Sequence, residues 1–217
     1  MAVTDSRFAA LVRAIATGDA AAIPRMLAAS PDLARVQAAN GASRQNAKDY
    51  YLDEIKHYLY AGDTALHIAA AAHRVELVRT LIAAGGDVRA RNRRGAEPLH
   101  YAADGTPGLP AWKPSAQAAT IALLIKAGAD PNALDKSGVA PLHRAVRTRC
   151  AAAVKALLDG GADVRLANKN GSTPIQLATR TTGRGGSGSA AAKEQQAEIT
   201  RVLQQCAENP GLQRRAR

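Results

Sequence analysis

The chain has 217 residues, 47% hydrophobic and 22% charged, the balance of an ordinary globular chain with one sizeable core. Only 3% of the residues are aromatic, so alanine and leucine must fill that core, which favours closely packed helices over a ring-filled interior. The net charge of +11, carried more by arginine than by lysine, points to an acidic partner: nucleic acid, a phosphorylated ligand, an acidic protein face or an anionic membrane.

Along the chain, the unit from Phe8 to Ala34 carries Ile23, Met26 and Leu27, an i, i+3, i+4 stripe that predicts one apolar helix face. The stripe returns as Val78-Leu81-Ile82, Ile121-Leu124-Ile125, Val154-Leu157-Leu158 and Ile199-Val202-Leu203, at spacings of 55, 43, 33 and 45 residues. The first gap holds an extra segment, roughly Gln37 to Tyr60, with four of the five tyrosines of the chain. Leu52, Ile55 and Leu59 predict a helical stripe there, with Tyr51 and Tyr58 beside it. Its rings either fasten that helix to the body or form a binding surface.

From Gly62 a second pattern begins, Gly-x-x-x-Leu-His. It reads Gly62 to His67, Gly95 to His100 and Gly138 to His143, and ends as Gly171 to Gln176 with Ile175-Gln176 in place of Leu-His. Thr64 and Thr173 suit helix caps, and Pro98, Pro141 and Pro174 suit a first helical turn, where no N–H is needed. Gly85, Gly128 and Gly161 suit the left-handed position that ends a helix. Each unit therefore reads as a turn, a short inner helix, an outer helix, a glycine stop and an extended finger.

The longer spacings place two further insertions between inner and outer helices, about Asp104 to Pro114 and Arg180 to Ala191. Both project from the edge opposite the fingers. Trp112, the only tryptophan, is in the first of them, as a lid over a local apolar patch or as an anchor for a partner. The second contains Gly183-Arg-Gly-Gly-Ser-Gly188, which matches a dinucleotide fingerprint but follows a helix rather than a strand. It reads as a flexible loop, with anion binding near Ser189 as a residual option. Gly211 to Arg217 is a basic tail.

These motifs resemble the ankyrin repeat family, whose hallmark is a Thr-Pro-Leu-His start and a Gly-Ala-Asp end. Pro98-Leu99-His100, Pro141-Leu142-His143 and Thr173-Pro174 carry the start, and Gly128-Ala129-Asp130 and Gly161-Ala162-Asp163 the end. The departures are Ala65 for Pro and Glu97 and Ala140 for Thr; a lost cap weakens a helix start by about 1 kcal/mol. The resemblance implies an all-α fold, an α-solenoid of about five repeats with short β-hairpin fingers and three insertions. It would form a single domain over 1–210: a cap repeat at 8–35, a helical insertion at 36–61, and repeats at 62–92, 93–135, 136–168 and 169–206, with a tail at 207–217. It also implies that His67, His100 and His143 bond to nearby backbone rather than to a metal.

No nucleophile elbow, paired catalytic carboxylates or Cys/His signature appears, so neither catalysis, cofactor nor metal is expected. An enzyme built on the insertions would need a pocket with convergent polar groups between them. Cys150 and Cys206 read as small core residues of a protein in a reducing compartment. No secretory signal opens the sequence and no apolar run is long enough for a membrane span, so a cytoplasmic monomer is expected. The family binds partners through finger tips and the exposed side of the inner helices. Carried over by position, that surface is Tyr60, Asp63, Arg89, Arg91, Arg93, Arg94, Asp104, Lys136, Arg144, Arg147, Lys169 and Arg180. The expectation is a basic concave groove that binds an acidic segment of another protein. The alternative is nucleic acid or another polyanion in the same groove, against which stands the lack of aromatic stacking platforms there.

Overall fold

The computed structural model describes residues 3–107, 112–179 and 190–208. Five helix pairs follow one another: α1 (Val3–Thr17) with α2 (Ala22–Ala29), α3 (Ala65–Ala71) with α4 (Val75–Ala83), α5 (Pro98–Ala103) with α6 (Pro114–Lys126), α7 (Pro141–Arg147) with α8 (Ala151–Asp159), and α9 (Pro174–Thr179) with α10 (Ala190–Glu208). The inner helices α1, α3, α5, α7 and α9 stack on one another, and α4, α6, α8 and α10 form an outer layer on them. This is the two-layered α-solenoid that the repeat pattern implies.

The inner helices are lined with alanine because they are enclosed on nearly every side. All seven residues of α3 and all six of α5 are buried, and Ala69, Ala70, Ala102 and Ala103 are fully inaccessible. A side chain of one carbon lets adjacent helices approach closely without a void. The outer helices contribute the stripe. Val78 and Leu81, Ile121 and Leu124, and Val154 and Leu157 are fully buried, so the middle repeats bury positions i and i+3, and the fourth copy also buries Leu158 at i+4. The end repeats bury i and i+4 instead, as Ile23 with Leu27 and Ile199 with Leu203. The outer face is thus turned slightly at both ends of the stack. Gly85, Gly128 and Gly161 end their helices with φ of +87°, +100° and +93°.

The repeat-start histidines join one unit to the next. His67, His100 and His143 each accept the backbone N–H of the residue before their helix (Thr64, Glu97 and Ala140) on Nδ1, at 3.1, 3.1 and 3.2 Å. With Nδ1 accepting, Nε2 carries the proton. It donates to Ala96, Val139 and Ser172 of the following unit at 3.1, 3.0 and 3.1 Å. The loss of Thr at 97 and 140 therefore leaves this half of the cap in place. Gln176 does the same work in the last repeat, where its Oε1 accepts from Thr173 N–H at 3.0 Å.

The first insertion is not helical, a correction to the expectation for 36–61. It contains a 3-10 turn at Ala47–Tyr50 and an antiparallel hairpin, β1 (Tyr51–Leu52) with β2 (His57–Tyr58), in which Tyr51 faces Tyr58. Paired aromatic residues favour a pleated surface, and Lys56, at φ +53°, turns the chain back where a helix would continue. Leu52, Ile55 and Leu59 still pack on the core, but from a hairpin. The ends of the insertion are tied together, because Ala38 N–H donates to Asp63 and Gly62 N–H to Ala38, both at 2.7 Å. The extra chain is therefore a loop within the first finger. Of the other two insertions, 104–113 separates α5 from α6 as expected, and 180–189 lies outside the described residues.

Candidate interaction surface

The fingers are hairpin turns. They close through Asn92 N–H to Ala96, Asp135 N–H to Val139 and Asn168 N–H to Ser172, at 3.1, 3.1 and 3.0 Å. In each, the Asn or Asp side-chain oxygen accepts further N–H groups of the turn, as Asp135 does from Ser137 (2.8 Å) and Val139 (3.0 Å). The fingers are linked in turn: Arg93 N–H donates to Ala61, Lys136 N–H to Arg94 and Lys169 N–H to Ser137, at 2.8, 2.9 and 3.3 Å. That ladder requires glycine beneath it. Gly138 has φ +70°, and a Cβ there would come within 2.7 Å of Lys169 N and 2.9 Å of Lys169 Cγ. The lysine stem lies across the bare glycine of the preceding finger, which fixes where the ammonium group emerges.

On the inner-helix side, positions 101 and 144 are equivalent, and so are 104 and 147. Arg144 is not the exposed cation expected. It is 9% exposed and bridges Asp104 (2.9 Å) and Asp135 (3.3 Å). Burial opposes the charge on Asp104, but Arg144, helped by His57, outweighs it and holds the carboxyl at about 2. Asp63 is also corrected: it is fully buried and cannot touch a partner. It accepts from Tyr60 N–H (2.6 Å), Asn92 Nδ2 (2.8 Å) and the Tyr101 hydroxyl (2.8 Å). The pattern that marked Asp63 also marks a buried polar network, because the position after the finger glycine faces the next finger. Asp104, partly shielded by Arg144 and His57, belongs to the same internal set.

Two of the expected arginines hold repeats together outside the groove. Arg89 Nε donates to the carbonyl of Gly128 at 2.8 Å, as Arg35 does to Gly85 at 3.1 Å. Arg91 pairs with Glu97 at 3.0 Å. Arg93 bonds the carbonyl of Ala42 in the insertion, and both it and Arg94 lie over the Tyr60 ring, at 5.8 and 4.9 Å from its centre. Tyr60 thus closes the groove at the side of the insertion. Arg180 lies outside the described residues.

The remaining cations, Arg94, Lys136, Arg147 and Lys169, line one cavity of about 450 Å³ between the fingers and α7. All four are exposed, and none makes an ion pair with a described residue. Its wall also includes Ser137, Asn168 and Asn170, which the expected site set did not contain, although Ser137 and Asn170 are finger-tip positions. Their signal was available: they occupy the finger positions beside the lysines.

Above the cavity, the insertion covers the concave face of the earlier repeats. His57 stacks on Tyr101, with ring centres 4.4 Å apart, and its Nε2 lies 3.7 Å from Asp104. A larger cavity of about 960 Å³ stands between this insertion and the second, lined in part by Ile55, His57, His73, Asp104 and Trp112. Its two histidines are engaged in the fold. His73 Nε2 donates to the carbonyls of Ala102 (3.1 Å) and Asp104 (3.0 Å), and burial lowers its pKa. Trp112, half-buried on the core, donates to Gln117 Oε1 at 2.9 Å. Cys150 is fully buried, and burial pushes its thiol up to about 11, far from a thiolate nucleophile.

The stacked helix pairs and their linked fingers define a helical-repeat protein. Residues 5–108 match ankyrin repeats (3 copies) and residues 124–178 match ankyrin repeats (many copies), so the chain belongs to the ankyrin repeat family. Ankyrin repeats are generally protein–protein interaction modules rather than catalytic folds. A comparison with curated proteins finds no match. No helix among the described residues is long and apolar enough to cross a membrane.

Proposed function

We propose that this protein is an interaction module that holds an acidic segment of a partner protein in the basic pocket between its fingers and α7. The observation that carries this reading is the set of four exposed, unpaired cations, Arg94, Lys136, Arg147 and Lys169, drawn from three successive repeats to one cavity. No ion pair with a described residue explains them, and of their charged groups only that of Arg94 has a further contact, over the Tyr60 ring. The cations that serve the fold, Arg89, Arg91 and Arg144, have bonds of their own, whereas these four face an opening. Guanidinium groups suit bidentate pairing with carboxylates, and the lysines add point charges. Against the nucleic-acid alternative, Tyr60, the aromatic at the groove's end, is covered by Arg93 and Arg94 and offers no open face to a base.

Fluorescence anisotropy with a labelled glutamate-rich peptide and a labelled mixed-sequence DNA duplex, at physiological salt, tests this. The peptide should bind, and Arg94→Glu/Arg147→Glu/Lys169→Glu should weaken it at least about tenfold while the circular dichroism is unchanged. Equal binding by the variant would sink the pocket assignment. Tighter binding of DNA, falling steeply with salt, would replace the acidic segment with a general polyanion.

A further inference from the structure

The pocket's chemistry is narrower than positive charge, and the narrowing rests on the reading above, that the cavity holds an anionic group of a partner protein. We infer that the group is a phosphoryl group, carried on a phosphorylated serine or threonine of that partner.

Three observations support a phosphate over a run of carboxylates. The first is the charge balance of the wall. Its one carboxylate, Asp135, is saturated: Oδ1 accepts from Ser137 and Val139 N–H, and Oδ2 accepts from Arg144 at 3.3 Å. The four cations therefore face the cavity without a counter-charge. A carboxylate brings one charge and two oxygens, whereas a phosphate monoester brings nearly two charges and three terminal oxygens.

The second is spacing. In an extended acidic segment, side chains on one side recur about every 7 Å. A cavity of about 450 Å³ admits one or two of these, too few to match four cations. It suits one compact, highly charged group.

The third is Asn168. Its Oδ1 accepts the N–H groups of Asn170 (2.9 Å) and Ser172 (3.1 Å), which pins the amide in the finger. At the equivalent position two fingers earlier, Asn92 has the same role, and its Nδ2 donates to Asp63 (2.8 Å) and the Tyr101 hydroxyl (2.9 Å). Asn168 has no such acceptor among the described residues, because Leu177 stands where Tyr101 stands and Val139 where Asp63 stands. Asn168 lines the pocket beside Lys169, and its Nδ2 is a neutral donor with no hydrogen bond to a described residue. A phosphoryl oxygen completes it, and Arg94 and Arg147 can grip the remaining oxygens in the two-pronged manner of guanidinium–phosphate pairs.

The test uses fluorescein-labelled nonapeptide mixtures, random except for a fixed central phosphoserine, glutamate or serine, bound to the full chain at physiological salt. The phosphoserine mixture should bind at least about tenfold more tightly than the glutamate mixture. Asn168→Asp should lower phosphoserine binding by at least about tenfold, since it exchanges the donor for a carboxylate. Its fold is safeguarded by Asp135, which closes the neighbouring finger with a carboxylate in that position. Arg79→Gln, which removes an exposed charge on α4, should leave binding as it was. Equal binding of the glutamate and phosphoserine mixtures overturns the phosphoryl inference and leaves the acidic-segment reading standing. Binding of neither above the serine mixture overturns both. Full phosphoserine binding by Asn168→Asp overturns the role of Asn168.

Discussion

At the scale of single residues, the repeat-start histidines carry the most structural information. His100 is fully buried, and burial together with the nearby Arg144 lowers its pKa from 6.5 to about 4. Above pH 6.5 both the folded and the unfolded chain hold it neutral, and it adds no pH dependence. As pH falls from 6.5 towards 4, the unfolded chain takes up the proton first, so stability is lost across that window and levels off below it. At about 1.4 kcal/mol per pH unit, His100 alone accounts for roughly 3 kcal/mol. Burial lowers His67 and His143 in the same direction. Urea unfolding at pH 7.5, 5.5 and 4 should show this decline, and His100→Gln should flatten it, because Gln176 already fills the same role in the last repeat. An unchanged slope would mean that His100 is charged in the fold. The sequence marked these histidines as structural. It could not show that each reaches into the next repeat, because the acceptor is a backbone carbonyl and leaves no residue-type signal.

Among the elements, the helix ends differ in what they tolerate. Two residues past the short helices α3 and α7 stand His73 and Arg149, both in the left-handed region at φ +51° and +59°. That conformation disfavours any residue with a Cβ. Arg149→Gly should therefore stabilise the protein by roughly 0.5–1 kcal/mol, read as a rise in the urea midpoint. His73→Gly should not, because it also removes the bonds from Nε2 to Ala102 and Asp104. A midpoint for Arg149→Gly at or below that of the wild type would show that its side chain makes up for the strain. Outer helices, glycine stops and the second insertion were legible because periodicity and turn residues are local. The first insertion was misread because Leu52, Ile55 and Leu59 fit a helical stripe as well as they fit two short strands and a turn. Only the pairing of Tyr51 with Tyr58 separates the two, and pairing is not a property of one segment.

For the whole molecule, stability is distributed unevenly along the stack. Every residue of α3 and α5 is buried, whereas α9 buries only Pro174 and Ala178, and the 19-residue α10 buries Ile199 and Leu203. In a chain of repeats, each unit is stabilised by its neighbours, so the last pair should open first. Native-state hydrogen exchange should show faster exchange in α9 and α10 than in α3 through α8; uniform protection would indicate one cooperative unit. The candidate site was legible only in part, for a reason that belongs to this scale. Sequence position placed Arg89, Arg91, Arg144 and Lys169 alike on the binding side. Which of them is free depends on partners 6 to 40 residues away, Glu97, Gly128 and Asp104 among them.

The bonds that join successive fingers also make the stack a spring. The backbone links at Lys136 and Lys169, 2.9 and 3.3 Å long, lie in the pocket's own wall, and the lysine stems are seated on them. A load that straightens the solenoid must lengthen these links and spread the cations they carry. If an anion is held there as proposed, a pull along the stack is expected to loosen the grip on it, and an anion that draws the lysines together is expected to stiffen the curve. Curvature and affinity are two readings of the same strain.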